Sequence, residues 1–136
     1  MKKLTLNVSC LCGGIKLITN GNHRDVQNCH CIQCMKTHGH HAAYTNVEEQ
    51  NIKFIKKSTL KWFSSSKRAK RGFCSKCGAS IFFKVIGTKN ISIAAGMFNG
   101  PTKLKTIMNI FIKGKLEYYK LDHHIPKFKR YPKGVK

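Results

Sequence analysis

The chain has 136 residues, 41% of them hydrophobic, which is the length of one domain with enough apolar mass for a core. No apolar run approaches the roughly 18 residues of a membrane span, and 26 lysines and arginines against 5 acidic residues leave a net charge of +21. Seven cysteines, an odd number, do not suit a disulfide framework; they suit metal or redox chemistry in a reducing compartment.

Met1-Lys2-Lys3 is positive, as at the start of an export signal. However, Leu4, Leu6 and Val8 alternate with polar residues, which reads as a strand and leads to the expectation of a soluble cytoplasmic protein. Ser9-Cys10-Leu11-Cys12-Gly13-Gly14 suits the turn of a hairpin that returns through Ile15-Lys16-Leu17-Ile18. A third strand enters at Val26 and is expected to carry Cys29 and Cys31. Gln33 to His38 suit one helical turn ended by Gly39. Strands are expected at 42–44, 52–55 and 60–63, and the only room for a further helix lies around Val47 to Gln50. Arg71-Gly72-Phe73-Cys74-Ser75-Lys76-Cys77-Gly78 makes a second tight turn, followed by the apolar run 81–86. Candidates at 91–95, 108–112 and 116–119 complete the set. Many short strands with Gly and Asn turns predict a mainly β domain over 1–125, built of short antiparallel strands, and a basic tail over 126–136 whose last residues are loose.

The cysteines fall as Cys10-x-Cys12, Cys29-x-Cys31-x2-Cys34 and Cys74-x2-Cys77. Each close pair is a ready chelate, and structural zinc takes four such ligands tetrahedrally. A ribbon-like site of Cys31, Cys34, Cys74 and Cys77 is one partition. The other joins Cys10 and Cys12 to Cys74 and Cys77 and leaves Cys29, Cys31 and Cys34 together; three thiolates within six residues are hard to split, which favours it. A four-ligand site is closed, whereas three ligands leave a position for water or substrate unless His30, His38, His40 or His41 fills it. Three anionic sulfurs make a soft ion that prefers a substrate thiol, which such coordination deprotonates near neutral pH. The trio therefore points to thiol chemistry ahead of hydrolysis.

These motifs resemble those of the glutathione-dependent formaldehyde-activating enzyme family, also called the centromere protein V (CENP-V/GFA domain) family. Ser9 to Gly14 look like its S-C-x-C-G-x motif, Cys29 to Gly39 like C-H-C-x-x-C-R-x-x-x-G, and Arg71 to Gly78 like R-x-F-C-x-x-C-G. Ala95-Gly96-Met97-Phe98 is similar to a strand end of the family, and Lys127-Phe128 to Pro132 to its P-x-F-x-x-x-P ending. The resemblance implies an Mss4-like (β-tent) fold stapled by zinc, with a structural zinc on Cys10, Cys12, Cys74 and Cys77 and a catalytic zinc on Cys29, Cys31 and Cys34, two zinc ions per chain. It also implies a carbon–sulfur lyase-type reaction in which glutathione adds to formaldehyde. Met35 stands where many members carry Arg, and His40-His41 replace small or apolar residues.

The remaining charge has three readings: solvated surface, a counter-charge for glutathione carboxylates, or a non-specific polyanion or nucleic-acid surface. Lys36 and Arg71 neighbour cysteine motifs and are the candidates for substrate carboxylates. The 67–71 run and the tail, with Phe128 and Tyr131 interleaved, are the candidates for polyanions.

Overall fold

The Leu4, Leu6, Val8 alternation becomes β1 (Lys2–Ser9), which buries Leu6 and Val8 and returns through β2 (Ile15–His23) in register Ser9 with Lys16. A computed structural model describes residues 1–132; the end of the expected loose tail, 133–136, lies outside the described residues. The chain continues through β3 (Val26–Cys29), α1 (Ile32–His38), β4 (Ala42–Glu48), β5 (Ile52–Lys57), β6 (Leu60–Ser64), β7 (Ala69–Cys74), β8 (Ser80–Val85), β9 (Asn90–Ala94), β10 (Phe98–Asn99) and β11 (Thr106–Ile110). Among the described residues no helix is long and apolar enough to cross a membrane.

The strands form two sheets, one of four in the order β10-β1-β2-β5 and one of seven in the order β11-β3-β4-β9-β8-β7-β6. The mainly β, single-domain expectation is what the structure shows, with one difference: β11 pairs parallel to β3 while the other pairs are antiparallel.

Strand alternation gives the larger sheet two buried faces. Val47, Phe82, Ile91 and Ile93 pack against Val8, Ile15 and Leu17 of the smaller sheet. On the opposite face Tyr44, Phe83 and Ala94 pack with Cys29, Cys34 and Ile110. A strand buried on both sides has no polar alternation, which is why Ile81-Phe82-Phe83 reads as a continuous apolar run.

Four local expectations are corrected. β3 ends at Cys29, and Cys31 is instead the N-cap of α1. That helix runs seven residues, longer than the single turn expected, and ends at Gly39 in the left-handed conformation, φ 80°. The 47–50 segment is not a helix: Val47 and Glu48 stay in β4 because they pair with Ile91 and Asn90, and only a 3-10 turn follows (Glu49–Asn51). The 116–119 segment is not a strand; it has no pairing partner, and its two tyrosines turn toward histidines. The segment read as a basic tail begins tied to the domain. The Phe128 N–H donates to Asn109 O, the Asn109 N–H to Pro126 O, the Ile112 N–H to Phe128 O and the Phe111 N–H to Arg130 O.

Candidate functional site

Two tight turns meet at one end of the molecule. The β1–β2 turn carries Cys10 and Cys12, the β7–β8 turn carries Cys74 and Cys77, and all four sulfurs lie within 4.8 Å of one another. Cys12 Sγ is 3.7 Å from Cys10 Sγ and 3.5 Å from Cys74 Sγ. A tetrahedron with zinc–sulfur bonds of about 2.3 Å has edges of about 3.8 Å, so the set fits a zinc ion. Backbone N–H groups of Ile15, Gly14 and Cys77 donate to the sulfurs of Cys10, Cys12 and Cys74 at 3.3, 3.4 and 3.3 Å. Donors so aimed favour the anionic form. Burial opposes ionisation of Cys74, yet the Cys77 N–H and the Thr59 hydroxyl hold its thiol down to about 5. Thr59 is the peg between the turns: its Oγ1 is 3.1 Å from Cys74 Sγ, and a Cβ placed on Gly14 would meet it at 2.3 Å.

The second group forms where β3 gives way to α1. Cys29 ends the strand, Cys31 caps the helix by accepting the Cys34 N–H at 3.3 Å, and Cys34 is buried in the first turn. Their sulfurs also lie within 4.8 Å of one another. Hydrogen bonds from the Cys29 and Cys34 thiols pull Cys31 down to about 2. The same sharing with Cys31 drives Cys29 far up. Cys34, although its bond to Cys29 favours ionisation, is pushed up to about 11 by Cys31 and burial. The three sulfurs share their protons at close range, with Cys31 the one held most readily as the anion. Their separation also suits the ligand set of one metal ion.

Arg71 answers this charge. It is 6% exposed, its guanidinium lies 4.8 Å from the Phe83 ring, and Nη2 is 3.7 Å from Cys34 Sγ. Nη1 donates to Tyr44 Oη at 3.2 Å, while the fully buried Nε has no partner among the described residues. Strand pairing explains its reach. Gln27 pairs with Tyr44, Asn46 with Ser92, Ser92 with Phe83, Phe83 with Arg71 and Arg71 with Phe63. Paired residues share a face, so Cys29, Tyr44, Phe83, Arg71 and Phe63 line the side that α1 covers. A divalent zinc held by three thiolates would carry one net negative charge, which the buried guanidinium would balance. Between α1 and β6–β8 lies a cavity of about 200 Å³ lined by Thr37, His38, Tyr44, Phe63, Arg71 and Phe73 among others.

No histidine nitrogen joins the trio among the described residues. His30 is spent on Tyr119 Oη through Nδ1 at 2.7 Å and on Asn109 Oδ1 through Nε2 at 2.8 Å. His38 Nε2 meets Tyr44 Oη at 2.8 Å, and His40 Nδ1 meets Tyr118 Oη. A further group, Asp122, His123 and His124, is wholly exposed and reads as a surface pair with its own carboxylate.

The model of the family described as glutathione-dependent formaldehyde-activating enzyme matches residues 5–114. The chain belongs to that family. Its fold is similar to the crystal structure of a Rhodobacter sphaeroides protein solved by structural genomics, with a TM-score of 0.60 at 17% identity, covering 72% of this chain and 92% of that one. Comparison with curated proteins finds no match.

Of the two cations expected to face substrate, this member of the formaldehyde-activating family buries Arg71 against Cys34, whereas Lys36 is exposed on α1. The residues that set this chain apart from the family pattern converge. Met35 Sδ lies 3.8 Å from Tyr119 Oη, the His40 ring packs on Tyr119 at 4.4 Å, and His41 packs on His30 at 5.1 Å. Sequence reasoning missed Tyr44, Thr59, Tyr119 and Asn109, which carry no spacing signal because strand pairing and loop closure bring them in. It also read Tyr131 only as a tail aromatic. Its ring packs on Phe111 at 4.9 Å, and burial together with the trio's sulfurs raises its phenol above the ordinary range.

Proposed function

We propose that the chain is a zinc-dependent carbon–sulfur lyase-type enzyme, resembling S-(hydroxymethyl)glutathione synthase, that adds a thiol such as glutathione to an aldehyde such as formaldehyde. Cys29, Cys31 and Cys34 hold the catalytic zinc, and Cys10, Cys12, Cys74 and Cys77 the structural one, two ions per chain. The observation that carries this reading is the trio's composition. Three sulfurs converge with no histidine nitrogen in their set among the described residues; His30, His38 and His40 are hydrogen-bonded to Asn109, Tyr44, Tyr118 and Tyr119, and His41 Nδ1 is buried without a partner among the described residues. Zinc so held supplies a soft open position at which a thiol loses its proton near neutral pH.

Around that position the chain's own groups have separate tasks. Arg71 fixes Cys34 and offsets the negative charge, and Asn109 and Tyr119 keep His30 away from the trio. Cys31 is the half-buried sulfur, so approach is from its side, with Lys36 exposed on the same helix to meet a substrate carboxylate. In the reaction the sulfur–carbon bond forms as the carbonyl π bond opens, and the proton lost by the thiol ends on the adduct oxygen. Seven unpaired cysteines suit a reducing compartment, for which we take the cytoplasm.

The test is exchange NMR of glutathione with ¹³C-formaldehyde in the presence of zinc-loaded protein. Accelerated formation of the hydroxymethyl adduct, lost in Cys31→Ala, is the expected result. No acceleration with glutathione or any small thiol at full zinc occupancy would overturn the reading.

A further inference from the structure

Five exposed lysines collect at the end of the molecule that carries the four-cysteine turns. Lys16 and Lys56 sit directly opposite each other across β2 and β5, and Lys57 pairs with Ile15 two positions on from the cysteine turn. The Ser75 N–H donates to Thr59 O at 2.8 Å, which sets Lys76 beside the β5–β6 turn, and Lys61 pairs with Phe73. No acidic residue occurs between positions 50 and 116. The ion pairs among the described residues are Lys2 with Asp25, Lys84 with Glu49, Lys89 with Glu48, and His124 with Asp122; none involves this collar. Like charges opposed across a strand pair weaken a sheet, so the collar brings the fold no benefit of its own.

We propose that this collar is a binding surface for the phosphate backbone of single-stranded nucleic acid, a function other than the thiol chemistry at the trio, although Phe63 also lines the cavity beside Arg71. An evenly positive, acid-free rim suits a polyanion. The aromatic beside it decides which kind. Phe63 is 57% exposed on the edge strand β6, on the same face as Lys61 and two residues from it. The neighbouring Trp62 is already occupied, with Lys70 over its ring at 4.3 Å and Phe82 stacked on it at 5.7 Å. A free aromatic face next to backbone-binding lysines receives an unstacked base, which a single strand offers and a duplex conceals. A single strand can also bend around the protruding turn, whose Leu11 is 92% exposed. No base-reading element accompanies the collar, so binding is independent of sequence.

The test is anisotropy of a fluorescein-labelled oligothymidylate with the zinc-loaded full chain, titrated between about 50 and 200 mM salt. Five phosphate contacts give a log–log slope of about −3.5. Lys16→Gln, Lys56→Gln, Lys57→Gln and Lys76→Gln combined should remove about 3 of that slope with zinc content unchanged. Phe63→Ala should weaken binding roughly 10-fold at every salt concentration. A control replaces Lys103, Lys105, Lys113 and Lys120 by Gln. Equal loss of slope in the control would overturn the proposal in favour of diffuse charge. So would absent oligonucleotide binding, or binding of phosphatidylserine vesicles through the collar with none of the oligonucleotide.

Discussion

The Arg71 guanidinium stands 3.7 Å from Cys34 Sγ and reaches it from a strand three places across the sheet from β4. Because the same group donates to Tyr44, it ties the sheet to the trio and supplies the positive charge beside it. Arg71→Met keeps length and apolar contact with Phe83 while removing that charge. It should weaken zinc at the trio by roughly 10–100-fold, as loss of an outer-shell partner does, and leave the four-cysteine zinc unchanged. Competition with a chromophoric chelator resolves the two ions. Arg71→Lys should restore only part of the affinity, since the planar fork is lost.

Cys31→Ala and Cys77→Ala should behave differently. The first should reduce native mass from two zinc ions to one while the circular dichroism of the folded chain persists. The second should unfold much of the protein, because closed-site metal binding contributes directly to folding free energy. Retention of two ions by Cys31→Ala would show that the trio is not a site.

Gly14→Ala should cost about 1–3 kcal/mol in urea unfolding, since the new methyl enters the space of the Thr59 side chain. The double variant with Thr59→Ala should recover part of that loss, a coupling expected only between residues in contact.

Much of this was legible in the chain because closely spaced cysteines stand out as candidate chelates. The pairs Cys10/Cys12 and Cys74/Cys77 and the trio needed only close spacing, and the structure gathers the sulfurs in the same four and three. Arg71 was singled out only as a neighbour of a cysteine motif. Its burial follows from a chain of pairings, Asn46 through Ser92 and Phe83, that spans sequence distances no local pattern encodes. The 47–50 segment was misread for the same reason, since its partner lies in β9. Tyr118 and Tyr119 look like strand residues and are instead recruited by histidines.

Tyr44→Phe should destabilise the protein by about 1–3 kcal/mol, the cost of leaving buried polar partners unpaired. Its hydroxyl accepts from Arg71 and meets His38; Thr37 Oγ1 also accepts from Arg71 Nη1 at 3.4 Å, so His38 is the partner that loses its bond outright. Denaturant midpoints at constant zinc measure the effect, and Tyr44→Trp would not rescue it.

Burial first, with His30 and His40 adding to it, holds His41 down to about 4 against 6.5 when unfolded. Between those values the unfolded chain binds the extra proton, so the contribution of neutral His41 is complete above pH 6.5 and fades as the pH falls toward 4. His41→Gln lacks that dependence. Its stability relative to the parent protein should rise on acidification through this window, and the difference between the two proteins cancels effects of metal release common to both.

The two sulfur groups are interleaved along the chain, Cys12 and Cys74 being 62 residues apart with the trio between them. During translation Cys10 and Cys12 emerge long before the residues that complete their tetrahedron, a wait of roughly 3–12 s at about 5–20 residues per second. Cys29, Cys31 and Cys34 emerge together. If each group holds an ion as proposed, the trio's ligand set is complete on the nascent chain well before the four-cysteine set is.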